Sequence, residues 1–295
     1  MNNRDSDTAG RAALSLLLFA VSTVGSATAA HSAGVALVTD LQGKAAMTED
    51  GRSRQLTILA ELAAGAQVRL DAGAVMVALY LDAGDEYTFK GPAQIVFRSA
   101  QPEMVNGAGP EKRGYSAGGS GKGIRIKPAG MAQGAIVMRS FRSSARIRLL
   151  NLNGTRSVET QPEFRWQELQ PGLKYQFEIA DATGRTLHEA QLDATSFRLP
   201  ANIRLEEGAP YTWEISARLP DGRKYSSSGD FSIASAELRA QADARRPAAS
   251  APLSTRVAYA AWLDQTELKD EARKYWRSLA AERPDDARLR ALAAE

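Results

Sequence analysis

The 295-residue chain contains no cysteine. Without thiols it has no cysteine nucleophile, no thiolate metal site and no disulfide bond. A domain of ordinary size does not need disulfides, because a sizeable apolar core stabilises it. Hydrophobic residues make up 44% and charged residues 24% of the chain, which is typical of a globular protein.

Histidine is almost as scarce, since only His31 and His188 occur. A Ser-His-Asp hydrolase would have to use His188, which stands in a polar stretch with no Gly-x-Ser-x-Gly turn nearby. The scarcity of histidine therefore disfavours the hydrolytic chemistries that depend on it.

The carboxylates do not replace the missing histidines. Asp82, Asp85 and Glu86 form an acidic turn whose spacing does not match a calcium loop. Glu163 and Glu178 fall on the outward phase of their predicted strands, where a glycosidase pair would not lie. We predict no catalytic, cofactor-binding or metal residues, and we expect that the chain is not an enzyme.

The chain has no strong excess of charge, because its formal net charge is only +3. A net charge this small does not predict the basic surface that binds nucleic acid. One local basic run occurs, formed by Arg139, Arg142, Arg146 and Arg148. We interpret this run as a solvent-exposed edge of the fold. The functional alternative is that it contacts an anionic polymer of the envelope.

Long apolar runs are also lacking beyond the first thirty residues, so no membrane span is expected after that point. Arg4 and Arg11 precede an apolar run over 12–21, and the stretch ends on Ala27-Thr28-Ala29-Ala30. This pattern predicts a cleaved secretory signal peptide over 1–30. Because no cysteine follows the run, a lipoprotein anchor is excluded, and we expect a periplasmic or secreted protein.

The mature chain begins with short strands. Asp50-Gly51 marks a hairpin turn, and Val75, Val77, Leu79 and Leu81 share one face by alternation. Short strands at regular spacing predict an antiparallel sandwich or barrel, assigned to residues 31–140.

A glycine-rich loop is predicted over 100–134 within this first domain. It contains Gly118-Gly119-Ser120-Gly121-Lys122-Gly123, but Ser116 and Gly123 occupy the places where a phosphate loop needs glycine and Ser or Thr. The segment therefore reads as a surface loop rather than a nucleotide site.

A second set of alternating strands predicts a β-sandwich over 141–236. Its strands carry regularly placed aromatic residues, expected in the core rather than on a sugar-binding surface: Trp166, Tyr175, Phe177, Tyr211 and Trp213.

A linker over 237–252 precedes a helical tail over 253–295, and residues 236–244 can carry a helical turn or more. Leu268, Ala272, Tyr275, Trp276 and Leu279 recur at helical spacing, with Asp270 and Lys274 as an outward i,i+4 pair. Pro284 ends this helix, and Asp285 or Asp286 caps a short last one. The candidate docking residues of the tail are Trp262, Tyr275, Trp276 and Leu279.

The first domain resembles the periplasmic domain of FecR-type proteins. The resemblance rests on turns and alternation: Leu41 with Gly43, Asp50-Gly51, Leu62 with Gly65, Val68-Arg69-Leu70, Val75 to Leu81, Gly84, and Tyr87 to Gly91-Pro92. The second domain is similar to fibronectin type III sandwiches through Phe164-x-Trp166 and Tyr211-x-Trp213. The tail resembles a single tetratricopeptide-type helix pair, which must pack on something else to bury its apolar face.

The FecR resemblance implies a relay from an outer-membrane receptor to a cytoplasmic sigma factor. The predicted signal peptide stands where that family has a cytoplasmic segment and a membrane span, so sigma-factor regulation is not carried over. We expect a mainly β, non-catalytic envelope interaction module that takes part in envelope sensing or assembly and binds an envelope protein or polymer. The alternative is a carbohydrate-active accessory or hydrolytic envelope protein that uses the loop at 100–134 as a lid.

Signal-peptide cleavage gives the first testable prediction. The A-x-A ending predicts a mature chain that starts at Ala30 or His31. Intact-mass spectrometry of the protein purified from the periplasm measures this directly, and a chain that still begins at Met1 would contradict the predicted export.

Overall fold

The computed structural model describes residues 34–49, 51–114 and 146–294. The predicted signal peptide and the glycine-rich stretch beyond residue 114 lie outside the described residues. Within the described ranges the chain is mainly β with a C-terminal set of helices, which confirms the predicted fold class.

The first β-sandwich consists of two five-stranded antiparallel sheets. One sheet contains, in spatial order, β10 (Glu111–Gly114), β7 (Asp85–Lys90), β6 (Val75–Tyr80), β1 (Gly34–Gln42) and β4 (Glu61–Ala63). The other contains β3 (Arg52–Gln55), β2 (Ala45–Glu49), β5 (Gln67–Leu70), β8 (Ala93–Phe97) and β9 (Pro102–Asn106).

Alternation along the strands builds the interior of this sandwich. In β5, Val68 and Leu70 are buried, whereas Gln67 and Arg69 face solvent. A half-buried strand has this period of two because successive side chains point to opposite faces. The inward faces of both sheets form one core, with Val38, Met47, Met76, Phe89 and Phe97 among its members.

Strand β6 departs from this pattern because both of its faces are covered. Met76, Ala78 and Tyr80 point into the sandwich core, as their place in that cluster shows. Leu79 and the following Leu81 belong to a different apolar cluster, shared with the C-terminal helices. The near-continuous apolar sequence of β6 is typical of a strand buried on two sides.

The predicted loop over 100–134 needs correction for its first part. Residues 102–106 form β9 and residues 111–114 form β10, so each adds an edge strand to one sheet. All four residues of β10 are exposed, and ion pairs rather than apolar contacts accompany its pairing with β7: Lys90–Glu111 at 2.6 Å, Lys112–Asp85 at 2.8 Å, and Arg113–Glu86. Sequence alternation misses such a strand because it has no buried face.

Gly91 is required by close approach of the backbone. A Cβ atom at this position would lie 2.0 Å from the carbonyl oxygen of Asp71, far inside van der Waals contact. Glycine therefore lets the chain enter β8 directly beside the turn that follows β5.

The second β-sandwich sets a five-stranded sheet against a two-stranded one. The larger sheet has the order β11 (Thr155–Ser157), β17 (Lys224–Ile233), β16 (Pro210–Arg218), β13 (Tyr175–Asp181) and β14 (Thr186–Leu192). The smaller sheet pairs β12 (Glu163–Arg165) with β15 (Ser196–Arg198). All neighbours are antiparallel except β11, which runs parallel to β17.

The aromatic residues fill the core of this sandwich, as predicted. Trp166, Tyr175, Phe177, Tyr211 and Trp213 are all buried, with exposures of 0–5%. Phe164 packs edge-on against Trp213 at 5.2 Å between ring centroids, a favourable geometry for aromatic pairs. These buried rings leave no exposed aromatic strip among the five residues that a sugar platform would use.

Four helices follow the second sandwich: α1 (Ala236–Arg245), α2 (Leu253–Gln265), α3 (Lys269–Glu282) and α4 (Ala287–Ala294). The predicted linker over 237–252 is wrong for its first half, which is α1. This helix has low hydrophobic periodicity, but Ser235 caps it by accepting a hydrogen bond from the Leu238 amide. The predicted stop at Pro284 and the cap of α4 are confirmed, since the Asp286 carboxylate accepts hydrogen bonds from the amides of Arg288 and Leu289.

The helical tail packs on the outer face of the first sandwich. Leu37 on β1 and Leu79 on β6 are at most 1% exposed and share one apolar cluster with Val257, Trp262 and Leu279. An ion pair between Arg283 and Asp40, at 3.3 Å, joins the end of α3 to β1. Burial raises the pKa of Asp40, and the neighbouring Arg283 only partly opposes that effect.

The four candidate docking residues lie in this tail. Trp262, Trp276 and Leu279 are buried, and Tyr275 is half-buried against the same cluster. The apolar face that the sequence predicts is therefore covered by the chain itself, by the neighbouring helices and the first sandwich, so these side chains do not present a free docking surface.

Removing the tail tests how far the first sandwich depends on it. A chain that ends at Ala249 uncovers Leu37, Leu79 and Leu81, each of which contributes roughly 1.5–3 kcal/mol when fully buried. We expect the melting temperature to fall by at least about 10 °C, together with binding of a hydrophobic dye. An unchanged melt would mean that the tail contributes nothing to the stability of the sandwich.

Candidate binding cleft

The second sandwich meets the helical tail at a junction with unusual backbone geometry. Three non-glycine residues of the described chain have positive φ: Leu59, Leu152 and Glu267. Leu59 belongs to the cluster shared with the helices, and the other two lie on opposite sides of the junction. Such conformations cost free energy and persist only where surrounding contacts fix them.

Contacts from both sides hold Leu152 at its φ of 54°. Its amide donates to the Asp270 carboxylate of α3 at 2.8 Å, and its carbonyl accepts from the indole nitrogen of Trp213 at 2.8 Å. Both backbone groups of a buried residue are thus satisfied, one by the tail and one by the sandwich core.

Thr155 supplies the cap that α3 lacks in its own sequence. The residue before the helix is Leu268, whose side chain has no hydrogen-bonding group. The Thr155 hydroxyl accepts instead from the amides of Lys269 and Asp270, at 3.1 and 3.4 Å. It also donates to the carbonyl of Glu267 at 3.1 Å, so a residue of the sandwich organises the turn between α2 and α3.

Gly229 allows this junction to close. A Cβ atom here would lie 2.8 Å from the Leu152 carbonyl oxygen and 2.9 Å from the Trp213 indole nitrogen. Any larger residue would separate the two groups that form the Leu152–Trp213 hydrogen bond.

A cleft of about 310 Å³ opens beside this junction. One wall is the segment over 148–153 that leads into the second sandwich, and the other is formed by α3 with the ends of α2 and α4. Leu150 lies in this wall and is 45% exposed. It is one of two large apolar residues that are exposed in the described chain.

The charges in the cleft are unequal. Arg148, Lys269, Arg273 and Arg277 line it, against two acids, Asp264 and Asp270. Both acids serve the fold, because Asp264 accepts from the Trp276 indole at 2.7 Å and Asp270 accepts from Leu152 and Arg273. The lining therefore has an excess of two positive charges.

Three of these cations are not neutralised by the fold. Within residues 34–49, 51–114 and 146–294, the side chains of Arg148, Lys269 and Arg277 form no ion pair, and all three are exposed. Positive groups that converge on a concave surface concentrate the electrostatic field there. This arrangement attracts an anion.

The sequence indicated only part of this site. Arg148 belongs to the predicted basic run, in which Arg139 and Arg142 lie outside the described residues. Lys269, Arg273 and Arg277 form a basic stripe on α3. The sequence does not predict this stripe, because the pair predicted on that helix is Asp270 with Lys274. The structure instead pairs Asp270 with Arg273 at 2.6 Å, and Lys274 with Glu271 at 2.6 Å.

The other residues weighed from the sequence lie apart from the cleft. His188 is half-buried on β14 and stacks on Phe197, with 5.6 Å between ring centroids. Glu163 pairs with Arg165 at 3.4 Å, and Glu178 accepts from the Thr186 hydroxyl at 2.8 Å. No group of three or more His, Asp or Glu side chains suited to a metal ion occurs in the part of the chain that the structure describes.

Comparisons with known proteins do not identify a function for this chain. No family model and no curated protein match the chain. Among solved structures, the crystal structure of CopC from Methylosinus trichosporium OB3b matches 30% of this chain and 94% of its own, with 16% identity and a TM-score of 0.22. In the described ranges, no helix has both the length and the apolar character needed to cross a bilayer.

Asp270 gives a prediction for the junction. Asp270→Ala leaves the buried Leu152 amide without an acceptor, so the free energy of unfolding should fall by about 1–3 kcal/mol. The matched control is Asp243→Ala, which removes an Asp–Arg pair of the same i,i+3 spacing from an exposed position on α1. An exposed pair contributes at most about 1 kcal/mol. Equal losses in urea unfolding would show that the Leu152 contact is unimportant.

Proposed function

We propose that this chain is a non-catalytic binding module of the cell envelope, FecR-like in its first domain, that holds an anionic partner in its basic cleft. The observation that carries the proposal is the positive charge of Arg148, Lys269 and Arg277, which the fold leaves uncompensated. The envelope location rests on the predicted signal peptide.

The construction of the cleft supports a role in binding. Its cations stand on a helix and on a segment that a sandwich core holds in place, and the Asp270–Leu152 and Thr155–Lys269 hydrogen bonds join the two walls. Binding groups on rigid elements lose less conformational entropy when a partner arrives than groups on free loops do.

The lining favours binding over catalysis. Its described residues include no hydroxyl, thiol or imidazole side chain that would act as a nucleophile or proton carrier. The two carboxylates already accept hydrogen bonds from Trp276, Leu152 and Arg273, which fixes their positions as structural groups.

A site-specific crosslink tests this function in native cells that export the full chain. A photo-reactive residue replaces Leu150 in the cleft wall, and in a second variant it replaces Gln176, which is exposed on β13 outside the cleft. We expect a discrete adduct from position 150 and none from position 176. Adding Lys269→Gln and Arg277→Gln should remove most of the adduct, because the attraction is electrostatic.

Two results would contradict the proposal. Adducts that are the same from both positions would mean that the cleft has no special role. An adduct that persists after both charges are removed would show that the partner does not recognise the cations.

A further inference from the structure

The basic cleft has a geometry that selects among anions. We infer that it binds an extended acidic peptide segment whose carboxylates occur at alternate residues. This inference rests on the proposed function and names the chemical class of its partner.

The cations on α3 are regularly spaced along the cleft. Lys269, Arg273 and Arg277 occur at i, i+4 and i+8 on α3 and all line the cleft. Residues four apart on a helix are separated by about 6 Å along the axis. Side chains on one face of an extended strand are separated by about 6.6 Å, so alternate carboxylates of a strand match the spacing of this stripe, whose ends, Lys269 and Arg277, are free to pair with them.

The two ends of the stripe carry charge that the helix does not compensate. Asp270 compensates Arg273, but Lys269 and Arg277 have no acidic partner among the described residues. The charges at both ends of the stripe are therefore available to a bound anion.

The opposite wall of the cleft offers groups suited to a peptide. Arg148 can bind a carboxylate through two parallel hydrogen bonds. The amide of Asn153 has no hydrogen-bond partner in the described ranges, and it can both donate to and accept from a peptide backbone. Leu150 adds an exposed apolar surface for the residues between the acids.

The length of the stripe favours a peptide over a single small anion. Lys269 and Arg277 are about 12 Å apart along the helix axis. One phosphate group neutralises one end of the stripe, whereas a strand of five residues spans it.

Isothermal titration calorimetry with blocked peptides tests this inference on the mature chain. The probe is Glu-Ser-Glu-Ser-Glu, and the matched control is Glu-Glu-Glu-Ser-Ser, which has the same charge but a different spacing. At about 20 mM salt, where surface charges are weakly screened, we expect the alternating peptide to bind at least about fivefold more tightly.

Charge variants locate the binding. Lys269→Gln with Arg277→Gln should weaken the alternating peptide by about tenfold or more, equivalent to about 1.4 kcal/mol. Arg290→Gln removes a charge from α4 outside the cleft and should change the affinity by less than about twofold.

Three outcomes would overturn the inference: equal affinity for the two peptides, an equal effect of Arg290→Gln, or tighter binding of inorganic phosphate than of the alternating peptide. If the crosslink at position 150 still depends on Lys269 and Arg277 while neither peptide binds, the binding function stands and the peptide class is wrong.

Discussion

The burial of one sheet face by the C-terminal helices is the interaction on which the rest of the structure depends. Leu37 and Leu79 lie on the outer face of a sheet whose inner face already forms a sandwich core. A sheet exposed on that side would present a continuous apolar surface to water. The tail covers it, and in doing so it fixes its own position relative to both sandwiches.

That position creates the cleft. Once α2 lies on the first sandwich and α3 packs on α2, the turn between the two helices meets the start of the second sandwich, where Thr155 and Leu152 form hydrogen bonds with that turn and with Asp270. The strained backbone at Leu152 and Glu267 is tolerated because every group it orients has a partner. The functional surface is therefore a product of how three parts fit together, and no one of them contains it.

This also explains which features sequence reasoning found. Alternation located the half-buried strands and the aromatic core, since period two and large apolar residues are local signals. It missed β10, whose residues Glu111 to Gly114 are held by ion pairs to β7 and have no buried face. For α1 it predicted a linker that can carry a helical turn or more, because that helix is marked mainly by its Ser235 cap. The cleft was out of reach for a different reason. In the sequence, Lys269 and Arg277 are typical of a solvated helix face. Only the fold places Arg148 opposite them, and that residue is more than a hundred positions away in the chain.

The long reach of the tail has a consequence for how the chain acquires its structure. The Arg283–Asp40 pair joins residues 243 positions apart. Leu37 is buried by helices that follow both sandwiches in the chain, so it stays uncovered until they are made. Contacts of such high sequence separation form slowly because loop closure precedes them. During synthesis, the first sandwich therefore has an apolar face without a cover until the helices that follow it in the chain have been made. In that interval the uncovered face is a site for self-association.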